Sequence, residues 1–475
     1  MASRLRVDLA VAGLVVGGDR ALVLPEVVSE APHRVVYASF GRRARKLSVK
    51  STSRILLLQG PVGPFFKSLQ NSLNENGFDA WRICFTAGDK FYSNKKKRIT
   101  FSEGLNEWPS WLDQLLSYSN VDCIVLFGCE RPIHSLAIEV ARKRNIPVVS
   151  LEEGYVRPGF ITVEHGGNNR RSPFASRMAP AEFDSSDTIK PYKCLKSPFT
   201  RMCRLGFFYY LANFMSSPDQ RRTFHKNRSL TSEAFYWSRN LFRKIVHQGR
   251  NFELVQRLLE HHDKKYFIVP LQVSDDSQLR EAANGWTNEK IIISSISSFA
   301  RHAPKNMRLV FKIHPLERGH SAYDKLVHSL ADLNGVSDRI DILDTGSVGL
   351  LVRHAAGMLT INSTSGLSAI AHAIPLMTLG ETIYSQTPLS YAGHTAEAMD
   401  KFWTRSFVQD RAACHRYLVW LRQNCLKPGD FYAKDGISVG VKGVTEVINA
   451  SLNSKSIASI DAQPTMDDKK RLKRV

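Results

Sequence analysis

The stretch LVFKIHPLERGH, Leu309 to His320, decides how this chain is read. An apolar run stops at a histidine followed by proline, with Lys312 two residues before His314. Proline has no N–H to give a central ladder, so a buried strand ends at His314-Pro315. Proline also keeps the residue before it extended, which fixes the direction of the His314 ring at the strand's carboxyl end. A histidine held this way can donate to a phosphate or ribose oxygen, with Lys312 adding charge. The plainer alternative is a hydrogen-bonded loop histidine.

Outward from this stretch, KYFIVPLQV, RLVFKIHP, IDILDT, GMLTINST and IPLMTLG are strand candidates separated by helical patterns. A similar rhythm precedes them: RILLLQG, the helical PFFKSLQNSLNENG, WRICFT, CIVLFG, the helical IHSLAIEVARKRN and IPVVSLEEG. Short, wholly apolar strands alternating with helices imply parallel sheets covered on both faces. Residues 191–262 interrupt the alternation with basic and aromatic sequence. The reading is therefore an α/β protein with an N-terminal doubly wound domain over 51–190, a helical linker over 191–262 and a C-terminal doubly wound domain over 263–452. CHRYLVWLRQNC and the helix near 440–452 could cross back onto the first half. Residues 1–50 read as an uncertain leader and 453–475 as a disordered basic tail.

With 475 residues the chain is long enough for two cores, and a net charge of +21 favours anionic partners. Seven cysteines, without a CxxC pair, read as reduced thiols in a cytoplasmic protein and give no zinc site. No apolar run is long enough to span a bilayer.

Two facing doubly wound domains bind ligands outside the carboxyl ends of their strands, so chemistry is sought there. After IPVVSL come Glu152 and Glu153, then Arg157, Glu164 and Asn168 in a Gly-rich loop. Paired acids suit acid–base work because like charges push one pKa up; a solvent-exposed turn paired to Arg157 is the alternative. After FIVPLQV come Asp275 and Asp276, either a nucleophile or a helix N-cap. After GMLT, Ser363, Thr364, Ser365 and Gly366 crowd a helix start, either an anion site or plain capping. No Walker lysine, GxGxxG or DxD metal motif is present, and the DSSD at Asp184–Asp187 has the wrong spacing.

LLLQGPVGPFF, EEGYVRPGFITVE, VPLQVSDDSQ, KIHP and TINSTSGLSAIAHAIPLMTLG, in this order over Arg54 to Val447, resemble the capsule polysaccharide biosynthesis/export proteins of the KpsS/LipB type, related to KpsC. The resemblance implies a GT-B-like fold and a glycosyltransferase that moves β-Kdo, an eight-carbon acidic sugar, from CMP-Kdo to a phosphatidylglycerol-type lipid. By motif, Lys312, His314, Pro315, Ser363, Thr364, Ser365 and Gly366 would hold the nucleotide. Asp276 would be the nucleophile and Glu153 or Glu152 the base. Arg157, Asn168, Gln272 and Gly60 would line the substrate. The implied donor carries a single phosphate, so neither metal nor cofactor is expected. The expected location is the cytoplasmic face of the inner membrane, with a KpsC-like transferase and a capsule ABC exporter as partners and no nucleic acid. RLGFFYYLANF, flanked by Arg201, Arg204, Arg221 and Arg222, suits a membrane interface or a buried linker helix. Two other functions stay open: an inverting, sialyltransferase-like CMP-sugar transferase, and a non-catalytic export or assembly component.

Overall fold

The computed structural model describes residues 52–186, 189–193, 199–222, 230–274, 277–391, 393, 395–404 and 409–453. The expected leader, nearly all of the expected tail, and both Asp275 and Asp276 lie outside these residues.

The first half contains β1 (Arg54–Leu57), β2 (Asp79–Cys84), β3 (Arg98–Thr100), β4 (Cys123–Phe127), β5 (Val148–Glu153) and β6 (Phe160–His165). The second contains β7 (Tyr266–Pro270), β8 (Arg308–Lys312), β9 (Ile340–Leu343), β10 (Gly357–Thr360) and β11 (Leu376–Thr378), and β12 (Leu426–Pro428) follows. The five strands read from sequence in the second half all form, in the order β11-β10-β7-β8-β9, with every pair parallel. The first sheet runs β12-β6-β5-β4-β1-β2-β3. Both orders are doubly wound. The chain reverses direction across the sheet between β1 and β4 in one half and between β7 and β10 in the other, and ligands bind such folds at the carboxyl ends flanking these points. The two Rossmann-like halves make a GT-B-like α/β protein. Strands β1, β4 and β7 are buried along their whole length, as expected when helices cover both faces of a parallel sheet.

Two features differ from the sequence reading. The stretch after Glu153, read as a loop, is a hairpin in which β6 runs antiparallel to β5, pairing Glu153 with Ile161 and Glu152 with Thr162. The run Phe160–Val163 is β-branched and aromatic, which favours a strand, but the flanking glycines drew the reading toward loop. The second domain also stops short of residue 452, through the crossing back that the sequence leaves open. β12 pairs antiparallel with β6, and the helix Lys434–Asn453 returns to the first half. There Phe431, Ile437, Val441, Val444 and Ile448 share a core with Ile55, Phe65, Leu69 and Val125. The helix Arg411–Cys425 makes the crossing, its Tyr417 and Leu421 packed in a cluster that contains both Tyr155 and Ile383.

The linker is helical, with helices at Phe199–Asn213, Leu230–Val246 and Gln248–His261. The first is fastened to the N-terminal half: the Tyr209 hydroxyl donates to Asp89 Oδ1 at 3.0 Å and Gly88 N donates to Asn213 Oδ1 at 2.7 Å. Tyr209 and Ala212 are buried while Phe207, Phe208, Tyr210 and Leu211 face solvent, so this is not a buried linker helix. No described helix is long and apolar enough to cross a membrane.

The returning helix gives the first prediction. Ile448 is fully buried in the N-terminal core. Ile448→Ala should destabilise the protein by about 2–5 kcal/mol, although the residue lies far along the chain from that core. Denaturant unfolding followed by probes in the N-terminal half measures this, and an unchanged midpoint would contradict the packing.

Candidate functional site

The second half's reversal point is closed by amides. Gln272, just past β7, donates from Nε2 to Asn362 Oδ1 at 2.8 Å, and its Oε1 accepts from Asn362 N at 3.2 Å. Asn362 Nδ2 in turn donates to the Gln278 carbonyl at 2.9 Å. Gln272, expected to touch substrate, instead has both amide atoms engaged in tying the loop after β7 to the loop after β10. That brace presents Ser363, Thr364 and Ser365, all half-buried, at the start of the helix Gly366–Ala371. Ser363 Oγ lies 2.8 Å from Ser365 Oγ and accepts from Ser365 N at 3.2 Å. The Tyr384 hydroxyl donates to the Ser363 carbonyl. A Cβ at Gly366 would overlap that hydroxyl, which accounts for glycine there. Ser365 makes no side-chain capping bond, so the hydroxyl cluster is not plain capping. The helix has only 6 residues, so its dipole is small and the hydroxyls dominate the loop's polar character.

His314 follows β8 directly, and its Nδ1 accepts from Leu316 N at 3.2 Å. That bond fixes the neutral tautomer with the proton on Nε2. Burial, helped by repulsion from Lys312 and Arg157, lowers its pKa to about 4. The ring is therefore a neutral donor at physiological pH. A folded value below the ordinary 6.5 means that His314's stabilising contribution is present above 6.5 and is lost as pH falls from there through 4. Lys312 departs from expectation. It is 2% exposed and its Nζ donates to the Ile313 carbonyl at 2.9 Å, while burial lowers its pKa to about 8. β8 is buried on both faces at its carboxyl end, so the amine has no outward direction and adds no exposed charge at the rim. Pro315 is exposed, and its carbonyl accepts from Asn240 Nδ2 at 2.8 Å.

The exposed cation comes from the first half. Arg157 sits in the turn between β5 and β6. Thr162 Oγ1 pins this turn, accepting from Tyr155 N and donating to the Glu153 carbonyl, each at 3.1 Å. A Cβ at Gly154 would overlap the Phe160 carbonyl, so the tight turn needs glycine. From there Arg157 Nη2 donates to Thr364 Oγ1 at 3.2 Å, and Nη1 lies 3.7 Å from Glu153 Oε2. Its side chain is 51% exposed, and ion pairs of that exposure contribute about 0–1 kcal/mol. Fold stability alone is a weak reason for its placement.

Glu153 keeps 35% of its side-chain surface exposed, so it is reachable from solvent. Burial of the carboxyl pushes its pKa up, as does repulsion from Asp430, against the opposing pull of Arg157 and the Tyr432 hydroxyl. The like charge is thus Asp430, brought in by the returning C-terminal segment. Glu152 is the next residue along a strand and points to the opposite face, so the expected pairing of Glu152 with Glu153 does not arise.

Asn168 and Gly60 also differ from expectation. Asn168 is fully buried, its Nδ2 donating to the Ser150 carbonyl at 3.2 Å and to Glu164 Oε2 at 3.1 Å. Glu164 also accepts from the Tyr155 hydroxyl at 2.6 Å, and both residues belong to the frame of the hairpin. Gly60 is buried, and a Cβ there would run into the Phe66 ring. Packing accounts for that glycine without a ligand.

The structure therefore gathers Glu153, His314 and the Ser363–Ser365 loop around Arg157 where the two halves meet, and buries Lys312, Gln272, Asn168 and Gly60. Sequence reasoning missed Asp430 and Tyr432, which reach Glu153 only because the chain crosses back, and it gave no role to Asn169, which joins the halves. Arg157→Ala removes a cation that repels the proton on His314. The ring's pKa should then rise above about 4, with burial and Lys312 still holding it below its ordinary value. NMR titration of the imidazole reads this, and an unmoved value would mean the two groups are not neighbours.

A family model described as capsule polysaccharide biosynthesis protein matches residues 122–432. The capsule polysaccharide export protein KpsS of Escherichia coli is 35% identical over 76% of this chain and 92% of its own. The capsule polysaccharide modification protein LipB of Neisseria meningitidis serogroup B is 29% identical over 81% of this chain and 93% of its own. Among solved structures, the β-Kdo 2,7-transferase KpsC of Thermosulfurimonas dismutans is 12% identical, with a TM-score of 0.37, over 83% of this chain and 100% of that one. The matched span holds Glu153, Arg157, His314 and the Ser363–Ser365 loop, and on this match the chain belongs to the capsule polysaccharide biosynthesis protein family.

Proposed function

We propose that this chain is a glycosyltransferase that moves an acidic sugar, β-Kdo from CMP-Kdo, onto a phosphatidylglycerol-type lipid to start the linker of a capsule polysaccharide. The observation that carries the reading is Arg157 of the first half reaching Thr364 of the second at 3.2 Å, beside a neutral His314. The single phosphate of the donor, a diester until CMP leaves, would meet between them a guanidinium, an Nε2–H donor and the hydroxyls of Ser363, Thr364 and Ser365. Charge-assisted bonds of this kind are the strong ones, and a single phosphate needs no divalent ion to balance it.

Retention at the anomeric carbon needs two displacements. In the first, the Asp276 carboxylate attacks the anomeric carbon; the bond to the phosphate oxygen breaks and its electron pair leaves with CMP. In the second, the lipid hydroxyl attacks the same carbon, Glu153 takes the hydroxyl proton and Asp276 is released with its electron pair. Support for Glu153 as base is its partial exposure beside Arg157 and its raised pKa, which makes it a better proton acceptor than an ordinary carboxylate. Arg157 keeps that shift in bounds, so the base form fails as pH drops through the raised value. The acid limb of the rate profile should therefore move to higher pH in Arg157→Ala.

Donor screening tests the reading: CMP-Kdo, CMP-sialate and UDP-sugars with a lysophosphatidylglycerol acceptor, scored by product mass and anomeric configuration. A β-Kdo lipid is expected with CMP-Kdo alone. Glu153→Gln should lower kcat by roughly 10²-fold or more with donor affinity little changed. A sugar adduct on Asp276, trapped without acceptor, is expected. Active enzyme without one, giving inverted product, would replace the two-step route by direct transfer with Glu153 as base. Absence of CMP release with every acidic donor would leave a non-catalytic assembly component.

A further inference from the structure

The helix Leu230–Val246 is amphipathic the wrong way round for a globular protein. Its polar side faces inward. Asn240 Nδ2 donates to the Pro315 carbonyl at 2.8 Å, Arg243 Nη1 to the Arg318 carbonyl at 2.8 Å, and Arg239 Nη2 to the Ser321 carbonyl at 3.0 Å. Tyr236 packs on His320 with ring centroids 4.9 Å apart. The approach is close enough that a Cβ at Gly319 would overlap the Tyr236 carbonyl. This inward face thus holds the segment that directly follows His314.

The outward face is apolar. Phe235, Leu241, Phe242, Ile245 and Val246 are 57–66% exposed. At roughly 100° per residue they fall within an arc of about 140°, opposite the polar contacts. Five large apolar side chains in one stripe form a patch that soluble monomers rarely leave open. Exposed Lys244 lies on the same helix, exposed Arg250 follows at the start of the next, and Lys and Arg outnumber Asp and Glu 11 to 4 over residues 199–261 as a whole. Apolar side chains edged by cations match the layering of an anionic bilayer, where acyl chains lie beneath negative headgroups.

We propose that the outward stripe of helix Leu230–Val246 docks the protein on an anionic lipid surface, while the helix's inner face carries the His314 loop to that surface. The transferase reading above supplies the reason for such docking, a lipid acceptor. The sequence pattern pointed to the neighbouring helix Phe199–Asn213 for an interface. The geometry favours Leu230–Val246, because its inner face grips the segment following His314, whereas the contacts given for Phe199–Asn213 fasten it to the first half.

Partition of the full-length protein onto vesicles tests this without donor or turnover, so a failed transferase assay and failed docking are separate results. Binding to phosphatidylcholine vesicles containing phosphatidylglycerol is expected, weaker on pure phosphatidylcholine and weakened by salt. Phe242→Ser with Ile245→Ser should reduce partition roughly tenfold or more with an unchanged melting temperature. Lys244→Glu with Arg250→Glu should reduce it only on the anionic vesicles. Failure to bind, binding indifferent to both double variants, or a dimer that the serine variant turns to monomer would overturn the proposal, the last by showing that a second copy covers the stripe.

Discussion

One buried side chain ties the two halves together from both ends of its amide, in addition to the apolar cluster they share. Asn169 is 3% exposed, and both ends of its amide bond across the boundary: Nδ2 donates to Gln278 Oε1 at 3.2 Å, and Oδ1 accepts from Ile383 N at 3.0 Å. Its backbone lies in the left-handed region at φ 56°, which asparagine tolerates better than most residues. Asn169 N also donates to the Tyr155 hydroxyl, which binds Glu164. The same small network therefore helps fix the relation of the halves and the root of the β5–β6 turn. A buried amide left half-satisfied would cost about 1–3 kcal/mol, which sets how strictly this arrangement is held.

Everything at the site depends on that relation. Arg157 extends from the turn and meets Thr364 because the second half is held in place by Asn169 together with the apolar cluster that contains both Tyr155 and Ile383. The contacts of Arg157 are individually weak, and its guanidinium is half exposed, whereas the contacts beneath it are buried and numerous. Rigid walls with a few exposed polar groups at their edge describe a site whose stability and chemistry are carried by different residues. Gln272, Asn362, Asn168 and Glu164 supply the walls. Glu153, Arg157, His314 and the hydroxyl loop supply the groups that a ligand can reach.

Much of this was legible in the chain. Apolar runs that end at Gly60, at His314-Pro315 or at the Ser363 loop announce buried strands and their carboxyl ends, and the order of those strands does the rest. The rest was not legible, for physical reasons. Side-chain direction fails where a strand is buried on both faces: Lys312 looks available at a strand end and is taken inside. Adjacent acids on a strand look like a pair and point apart, as Glu152 and Glu153 do. Long-range return was legible only in part: the crossing of CHRYLVWLRQNC and the last helix onto the first half was expected, but the pairing of β12 with β6 and the arrival of Asp430 and Tyr432 beside Glu153 leave no signal in neighbouring residues. Polar residues near strand ends also divide into braces and reagents by hydrogen bonding alone, which separates Gln272 from Thr364.

The most direct test of the account is a crystal structure of the protein with CMP. The phosphate is expected within hydrogen-bond distance of His314 Nε2, the Arg157 guanidinium and a hydroxyl of the Ser363–Ser365 loop, with Glu153 facing the open side. CMP seated instead at the first half's own reversal point, beside Gln59 and Arg131, or on a surface remote from Arg157, would contradict it.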